Sequence, residues 1–320
     1  MSLIISLIIV IVLTAFFGWL ATRAWRAQRA IIKWPGVVGA GLLTALCAGI
    51  SGVALLGLYR LYLPTVSPAP AIQIAGSPEQ LARGERLAYL CARCHSSGGK
   101  LPLDGGSENF APPLGVIYAP NLTPGGSLKD WSEGEISRAI REGVDNNGRV
   151  LLIMPAESYR HLSDADVQAL VAYLRTQPAV ERQTPETQPS LLGAILVGAG
   201  LFRAQPPITA PVVAPPAESS PEYGQYLVRI SRCAGCHGDT LQGGGPDGFV
   251  PAGPNLLAIV SQWDSEEFVK TMQTGVDPFG NTINAETMPW QDYSAAFTVE
   301  ELEAMYAYIR SLTPSAEASQ

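Results

Sequence analysis

Two long apolar stretches, residues 1–22 and 35–59, open the chain and contain no charged side chain. Each supplies the roughly 20 apolar residues that a helix needs to cross a bilayer. A cleaved signal peptide is the alternative for the first stretch, but the opening Met1-Ser2-Leu3-Ile4 lacks the basic start of such peptides. The pattern therefore predicts that residues 1–63 form a two-helix transmembrane anchor.

The turn between the two predicted helices carries only positive charges: Arg23, Arg26, Arg29 and Lys33. Short basic loops stay on the cytoplasmic side of a membrane. Both ends of the hairpin, and everything after residue 63, are therefore expected on the outer, periplasmic face of a bacterial cytoplasmic membrane.

Beyond the anchor, helical patterns begin at recognisable capping residues. Ser77-Pro78-Glu79 offers an N-cap followed by a proline at the first helical position. Ser163-Asp164-Ala165-Asp166 and Thr298-Val299-Glu300-Glu301 resemble capping boxes that start later helices. No run alternates as a half-buried strand would, so an all-α body is predicted.

Stretches rich in proline divide this body. Residues 64–76 are predicted to form a tether, and a linker is predicted over residues 181–217. The linker contains an apolar run, Leu191 to Phe202, that is too short to span a bilayer. We expect it to form a helix packed between the two flanking domains; a helix lying on the membrane surface is the alternative. The domains themselves are predicted over residues 77–180 and 218–316.

The two predicted domains repeat one another, so one module has been duplicated. The matching segments, in order, are Cys91-Ala92-Arg93-Cys94-His95 with Cys233-Ala234-Gly235-Cys236-His237, Pro120-Asn121-Leu122 with Pro254-Asn255-Leu256, Gly143-Val144-Asp145 with Gly275-Val276-Asp277, and Met154-Pro155 with Met288-Pro289.

Cys-x-x-Cys-His is the attachment signature of c-type haem, in which two thiols bond the haem and the histidine binds its iron. The motif predicts haem attachment through Cys91 and Cys94, with His95 as an iron ligand. Its second copy predicts the same roles for Cys233, Cys236 and His237. A zinc site would need the two distant cysteine pairs to converge, and a redox-active dithiol would need a βαβ context that the sequence lacks.

A sixth iron ligand is expected from methionine, the usual choice in cytochromes c. Met154 and Met288 stand before the last helix of each domain, whereas Met272 and Met305 lie within helical patterns and are expected to fill the core. The carbonyls of Pro120 and Pro254 are the expected acceptors for the second ring nitrogen of the two histidines.

Three further side chains have alternative roles. Trp131 and Trp263 are expected either to reach haem propionates or to pack in the core. His161 is the one histidine outside the two motifs, and a structural role is favoured over iron ligation.

At these motifs the chain resembles the cytochrome c subunits of bacterial membrane-bound periplasmic alcohol and gluconate dehydrogenases. The first domain carries the specific likeness, through Gly115 to Pro124, Arg138 to Val144, and Met154-Pro155 onward. The second is similar to class I cytochromes c more generally. The resemblance implies two class I cytochrome c-like domains in tandem and an electron-transfer role in a complex. It also implies three haems, a cleaved signal peptide and a C-terminal membrane contact, whereas this chain has two attachment motifs and an N-terminal hairpin.

Charge is distributed unevenly along the chain. Residues 1–63 carry +5, which leaves −12 on residues 64–320. Such an acidic body attracts basic partners, for example a soluble basic cytochrome or a copper protein, and is not expected to bind nucleic acid. Solubility alone is the alternative explanation.

Three functions are compatible with these motifs and charges. The leading hypothesis is a membrane-anchored carrier of single electrons with two haem c groups, acting as a subunit of a membrane dehydrogenase or of a respiratory or photosynthetic complex. A di-haem peroxidase is the alternative, but it requires one iron without a permanent sixth ligand. Quinol oxidation within the hairpin is disfavoured because residues 1–63 contain neither histidine nor carboxylate.

Overall fold

A computed structural model describes residues 3–63, 68–72, 74–244 and 252–313. Helices dominate these residues, which confirms the predicted all-α class. The first tether residues, 64–67, and the last residues assigned to the second domain, 314–316, lie outside the described part.

The two apolar stretches form an antiparallel pair of helices, α1 (Leu3–Trp25) and α2 (Ala30–Tyr62), each long and apolar enough to cross a membrane. At the turn that joins them, the rings of Trp25 and Trp34 meet edge to face, with centroids 6.0 Å apart. The Lys33 ammonium lies 4.4 Å from the centre of the Trp25 ring. Basic and tryptophan side chains are therefore in contact at the turn of the hairpin.

The first module is built from four helices: α3 (Pro78–His95), α4 (Glu133–Glu142), α5 (Ala156–Tyr159) and α6 (Asp164–Thr176). The predicted N-caps at Ser77 and Ser163 are confirmed, since each side chain accepts a backbone N–H of its helix. Helices α3 and α6 cross at Gly84, where a Cβ atom would lie only 1.9 Å from the Ala169 carbonyl oxygen. A glycine is therefore required at this crossing.

The linker helix does not pack between the two modules. A two-residue strand, β1 (Gly115–Val116), pairs antiparallel with β2 (Gln188–Pro189) and leads the chain into α7 (Leu191–Gly198). Helix α7 packs mainly on α2 and on the first module's segment at Leu114. The expectation of an inter-module helix was wrong because Val53 and Gly57 of α2 let the α7 backbone approach closely.

The second module repeats the first with six helices: α8 (Pro221–Ile230), α9 (Cys233–His237), α10 (Leu256–Val260), α11 (Ser265–Thr274), α12 (Trp290–Ala296) and α13 (Val299–Ser311). Gly224 repeats the crossing of Gly84, here against the Ala304 carbonyl. The modules differ at the attachment motif. Helix α3 runs unbroken through its cysteines, whereas Arg232, at φ 61°, separates α8 from α9.

The two modules share one continuous hydrophobic core. Helix α3 of the first module packs on α12 of the second, and α8 of the second packs on α5 of the first. Reciprocal contacts of this kind bring together the parts of each module that carry the cysteines and methionines. The expected core roles of Met272 and Met305 are confirmed, since both are buried.

Candidate haem sites

The first attachment motif lines a cavity of about 590 Å³. Cys91 and Cys94 lie on the last turns of α3, followed by His95, and all three residues line this cavity. Burial raises the pKa of the Cys91 thiol to about 12, so the thiol is neutral. A neutral, enclosed pair does not have the exposed thiolate of a redox-active dithiol.

His95 is oriented by a single hydrogen bond. Its Nδ1 atom lies 2.9 Å from the carbonyl oxygen of Pro120, the acceptor expected from the sequence. Burial lowers the pKa of His95, although this hydrogen bond opposes the shift. A neutral imidazole that donates from Nδ1 leaves its Nε2 lone pair free to bind a metal.

Met154 lines the same cavity as the attachment motif. The residue before it, Ile153, has a φ of 68°, a conformation that β-branched residues rarely adopt. The Tyr159 hydroxyl donates to the carbonyl of Leu90, 3.1 Å away, and ties α5 to the residue just before Cys91. Two thiols, a neutral histidine and a thioether around one largely apolar cavity form a donor set that fits a covalently attached haem.

The second motif has the same local geometry. The Nδ1 atom of His237 lies 2.8 Å from the Pro254 carbonyl, again the expected acceptor. Gly253 packs so closely on this ring that a Cβ atom would lie 2.6 Å from Nδ1. Burial lowers the pKa of His237 and raises that of Cys233 to about 12.

Met288 is partly buried against the core of the second module, at the position equivalent to Met154. The Tyr293 hydroxyl donates to the Ser231 carbonyl, 3.1 Å away, just as Tyr159 donates to Leu90. Both tyrosines fix the methionine segment to the attachment segment, a role that sequence reasoning missed. The signal was available, because each tyrosine follows its Met-Pro pair at the same spacing.

Charged side chains line the cleft where the two sites approach one another. Arg93 of the first motif donates to the carbonyls of Ala285, 3.3 Å away, and Glu286, just before Met288. The cavity that holds the first motif extends to Arg232 and Asp292 of the second module. Burial raises the pKa of Asp292 to about 6, and the positive charge of Arg93 opposes this shift.

The remaining candidates take different positions. Trp131 lines the first cavity and also packs on the core, while Trp263 packs on the core of the second module. His161 is not among the residues lining the first cavity. Within the described residues, no cluster of three or more histidine, cysteine or acidic side chains is placed to hold a metal ion.

Comparisons with known proteins agree with this geometry. The family model described as "Cytochrome c" matches the chain twice, over residues 81–178 and 221–313. A "Diheme cytochrome c-type" protein of Cereibacter sphaeroides is 26% identical over 300 residues, which cover 83% of this chain and 97% of that protein.

Two larger relatives are named as components of dehydrogenases. A nicotinate dehydrogenase component of Pseudomonas putida is 29% identical over 83% of this chain, and the "Gluconate 2-dehydrogenase cytochrome c subunit" of Pantoea cypripedii is 33% identical over 56%. The chain spans only 24% and 43% of the lengths of these two proteins. The resemblance to dehydrogenase cytochrome subunits is thereby confirmed.

Proposed function

This chain belongs to the cytochrome c family, and we propose that it is a membrane-anchored carrier of single electrons with two covalently attached haem c groups. The carrying observation is the duplicated geometry of the two sites, in which each attachment motif has a histidine held on a proline carbonyl. The similarity to a protein named as di-haem, along almost its whole length, supports the count of two.

The proposal assigns four residues to each haem. Cys91, Cys94, His95 and Met154 would hold the first, and Cys233, Cys236, His237 and Met288 the second. Bound haem supplies an iron that exchanges one electron between its ferrous and ferric states. The Tyr159 and Tyr293 hydrogen bonds would hold each methionine segment against its attachment segment. A thioether ligand favours the ferrous state relative to a second histidine.

Direct transfer between the two haems follows from the module interface. One cavity is lined both by Cys94 of the first attachment motif and by Cys236 of the second, so these residues would hold the two haems on either side of one cleft. Electrons that enter one module would then leave through the other without a diffusing intermediate.

Anchoring in a bacterial cytoplasmic membrane is part of the proposal. It is supported by the length and apolar composition of α1 and α2, and by the four positive charges around their connecting turn, Arg23, Arg26, Arg29 and Lys33. The two modules follow the opposite end of the hairpin, which would place both haems on the periplasmic face.

The partners are proposed from the relatives and from charge. Relatives named as components of nicotinate and gluconate dehydrogenases support a role beside a membrane-associated dehydrogenase. The acidic second module would exchange electrons with a soluble basic cytochrome or a copper protein, because Glu266 and Glu300 are exposed there.

A single experiment separates this proposal from the peroxidase alternative. In the purified full chain we expect two haems, both low-spin, and a ferrous form that does not bind carbon monoxide readily. Replacing Met288 with alanine should open one such site and lower the potential of one haem, while a matched Met305→Ala change in the core should do neither. Rapid carbon monoxide binding by the unmodified protein would favour a peroxidase, and a content of one haem per chain would contradict the proposed count.

A further inference from the structure

The short helix α7 and the residues that follow it form an apolar segment outside the hairpin. Residues 191–202 contain no charged side chain. Two of its large side chains remain uncovered, since Leu192 is 44% exposed and Leu201 is 65% exposed. Helix α7 therefore has one face against protein and another that leaves apolar surface uncovered.

The protein-facing side of α7 is packed tightly on α2. A Cβ atom at Gly57 would lie 1.8 Å from the Ala194 carbonyl oxygen, and one at Gly198 would lie 2.0 Å from that of Val53. Small residues that let two backbones approach this closely are typical of helix packing in membranes. The Arg60 guanidinium also donates to the carbonyls of Val197 and Gly198, both at 3.0 Å, and satisfies the C-terminal end of α7.

The position of this contact along the hairpin fixes the depth of α7. Val53 and Gly57 lie one to three turns before the end of α2. Leu3 at the start of α1 packs on a small cluster formed by Leu61 of α2 with Ala194 and Val197 of α7. Helix α1 has 23 residues, about 35 Å at 1.5 Å per residue, against about 30 Å for the hydrocarbon core. The start of α1, and with it α7, therefore falls at the outer boundary of that core.

On these grounds we propose that α7, with Leu201 and Phe202, is a third membrane contact that lies in the outer leaflet beside the hairpin. The inference rests on the proposed anchoring of α1 and α2. Lipid is the occupant because the uncovered face continues the apolar surface of α2, where Leu55 and Leu56 are also exposed at the same level. Arg60 and Arg203 place positive charges at its edge, where lipid phosphates lie.

This contact has a consequence for the first haem site. Leu61 and Tyr62, at the end of α2, line the cavity that holds the first attachment motif. The Arg149 guanidinium of the first module lies 5.8 Å from the centre of the Tyr62 ring. With α7 in the leaflet, a haem bound at the first motif would lie near the membrane surface, within reach of a membrane-embedded partner.

The test uses the haem-loaded full chain in liposomes prepared with a phospholipid that carries a photoactivatable diazirine on its acyl chain. After illumination, cross-linked peptides are identified by mass spectrometry. We expect cross-links in residues 191–202 as well as in α1 and α2, and none at Val213, a linker residue that is 82% exposed.

A second measurement distinguishes lipid from protein cover. In a Cys47→Ala background, single cysteines replace Leu192, Leu201, Leu42 in the middle of α2, and Val213. A membrane-impermeant maleimide should label only Val213→Cys, and detergent denaturation should restore labelling of the others. The haem-bound cysteines do not react because their sulfurs are in thioether bonds.

The outcomes separate the two proposals. Labelling of Leu192→Cys and Leu201→Cys with protection of Leu42→Cys, or cross-links confined to α1 and α2, would overturn the third contact and leave the anchor intact. Labelling of Leu42→Cys would overturn the anchoring itself.

Discussion

Arg83 on α3 of the first module forms an ion pair with Glu301 on α13 of the second, with Nη1 and Oε1 2.5 Å apart. The same guanidinium binds both carboxylate oxygens of Asp166 in its own module. The Tyr223 hydroxyl donates to Glu301, and the Tyr226 hydroxyl donates to Asp166. Each buried carboxylate of this network therefore accepts from both Arg83 and a tyrosine. Burial opposes the charge of Arg83, but the two carboxylates outweigh it and hold its pKa above the ordinary value.

Replacing Arg83 with methionine should destabilise the paired modules by about 3–5 kcal/mol, because two buried carboxylates lose their counter-charge. The measurement is thermal unfolding of the haem-loaded protein, with exposed Arg229→Met as control. Adding Asp166→Asn and Glu301→Gln should restore part of the loss. Equal melting temperatures for both single variants would contradict a stabilising role for this network.

Replacing Arg93 with glutamine should lower the potential of the second haem and loosen its methionine. Arg93 belongs to the first attachment motif but holds the carbonyls of Ala285 and Glu286, just before Met288. We expect faster hydrogen exchange at the Thr287 and Met288 amides and a weaker near-infrared methionine-to-ferric-haem band. Lys100→Gln removes an exposed charge of the same module and should do neither. Unchanged hydrogen exchange at both amides would show that the Met288 segment is not held in place by Arg93.

The potential of the haem nearest Asp292 should fall as the pH rises through about 6, because an ionised carboxylate stabilises ferric iron. Asp292→Asn should abolish this step, whereas Glu222→Gln, at an exposed site, should retain it. Because the pKa of Asp292 is raised in the folded protein, its ionisation destabilises the fold. Above about pH 6, the Asp292→Asn variant should therefore unfold at a higher temperature than the unmodified protein. Below about pH 4, where Asp292 is protonated in both folded and unfolded states, this difference should vanish. Redox titrations at several pH values measure the first effect, and a pH-independent potential would contradict it.

Replacing Gly57 with leucine should displace α7 from α2, since the new side chain meets the Ala194 carbonyl. Gly49→Leu is the matched control, because a Cβ atom there has no neighbour within 4 Å. We expect only Gly57→Leu to increase protease cleavage within residues 181–217 in liposomes. Identical cleavage patterns would mean that the close approach does not secure the linker.

The rate of electron exchange with a basic soluble cytochrome should fall when Glu266 and Glu300 are both replaced by glutamine, and its dependence on salt should weaken. These two side chains are exposed, whereas Glu301 belongs to the module interface and is unsuitable for this test. Stopped-flow measurements over a range of ionic strength provide the comparison. An electron-exchange rate that changes neither with ionic strength nor with the two substitutions would favour a permanently bound partner.

The sequence alone was sufficient for features that depend on neighbouring residues. The caps at Ser77 and Ser163 and the spacing of the two Cys-x-x-Cys-His motifs act within a few residues, so pattern and structure agree there. The acceptors at Pro120 and Pro254 were also predictable, because the duplication showed the same segment twice.

Only the tertiary structure decided which surfaces meet. The apolar run 191–202 does not by itself identify α2 as its partner, because the close approach needs Gly57 of α2 as well as Gly198 of the run. The pairing of Arg83 with Glu301 joins side chains 218 residues apart. Local periodicity cannot specify such contacts. The pattern of apolar residues shows which face of a helix is buried, but not which other element packs against that face.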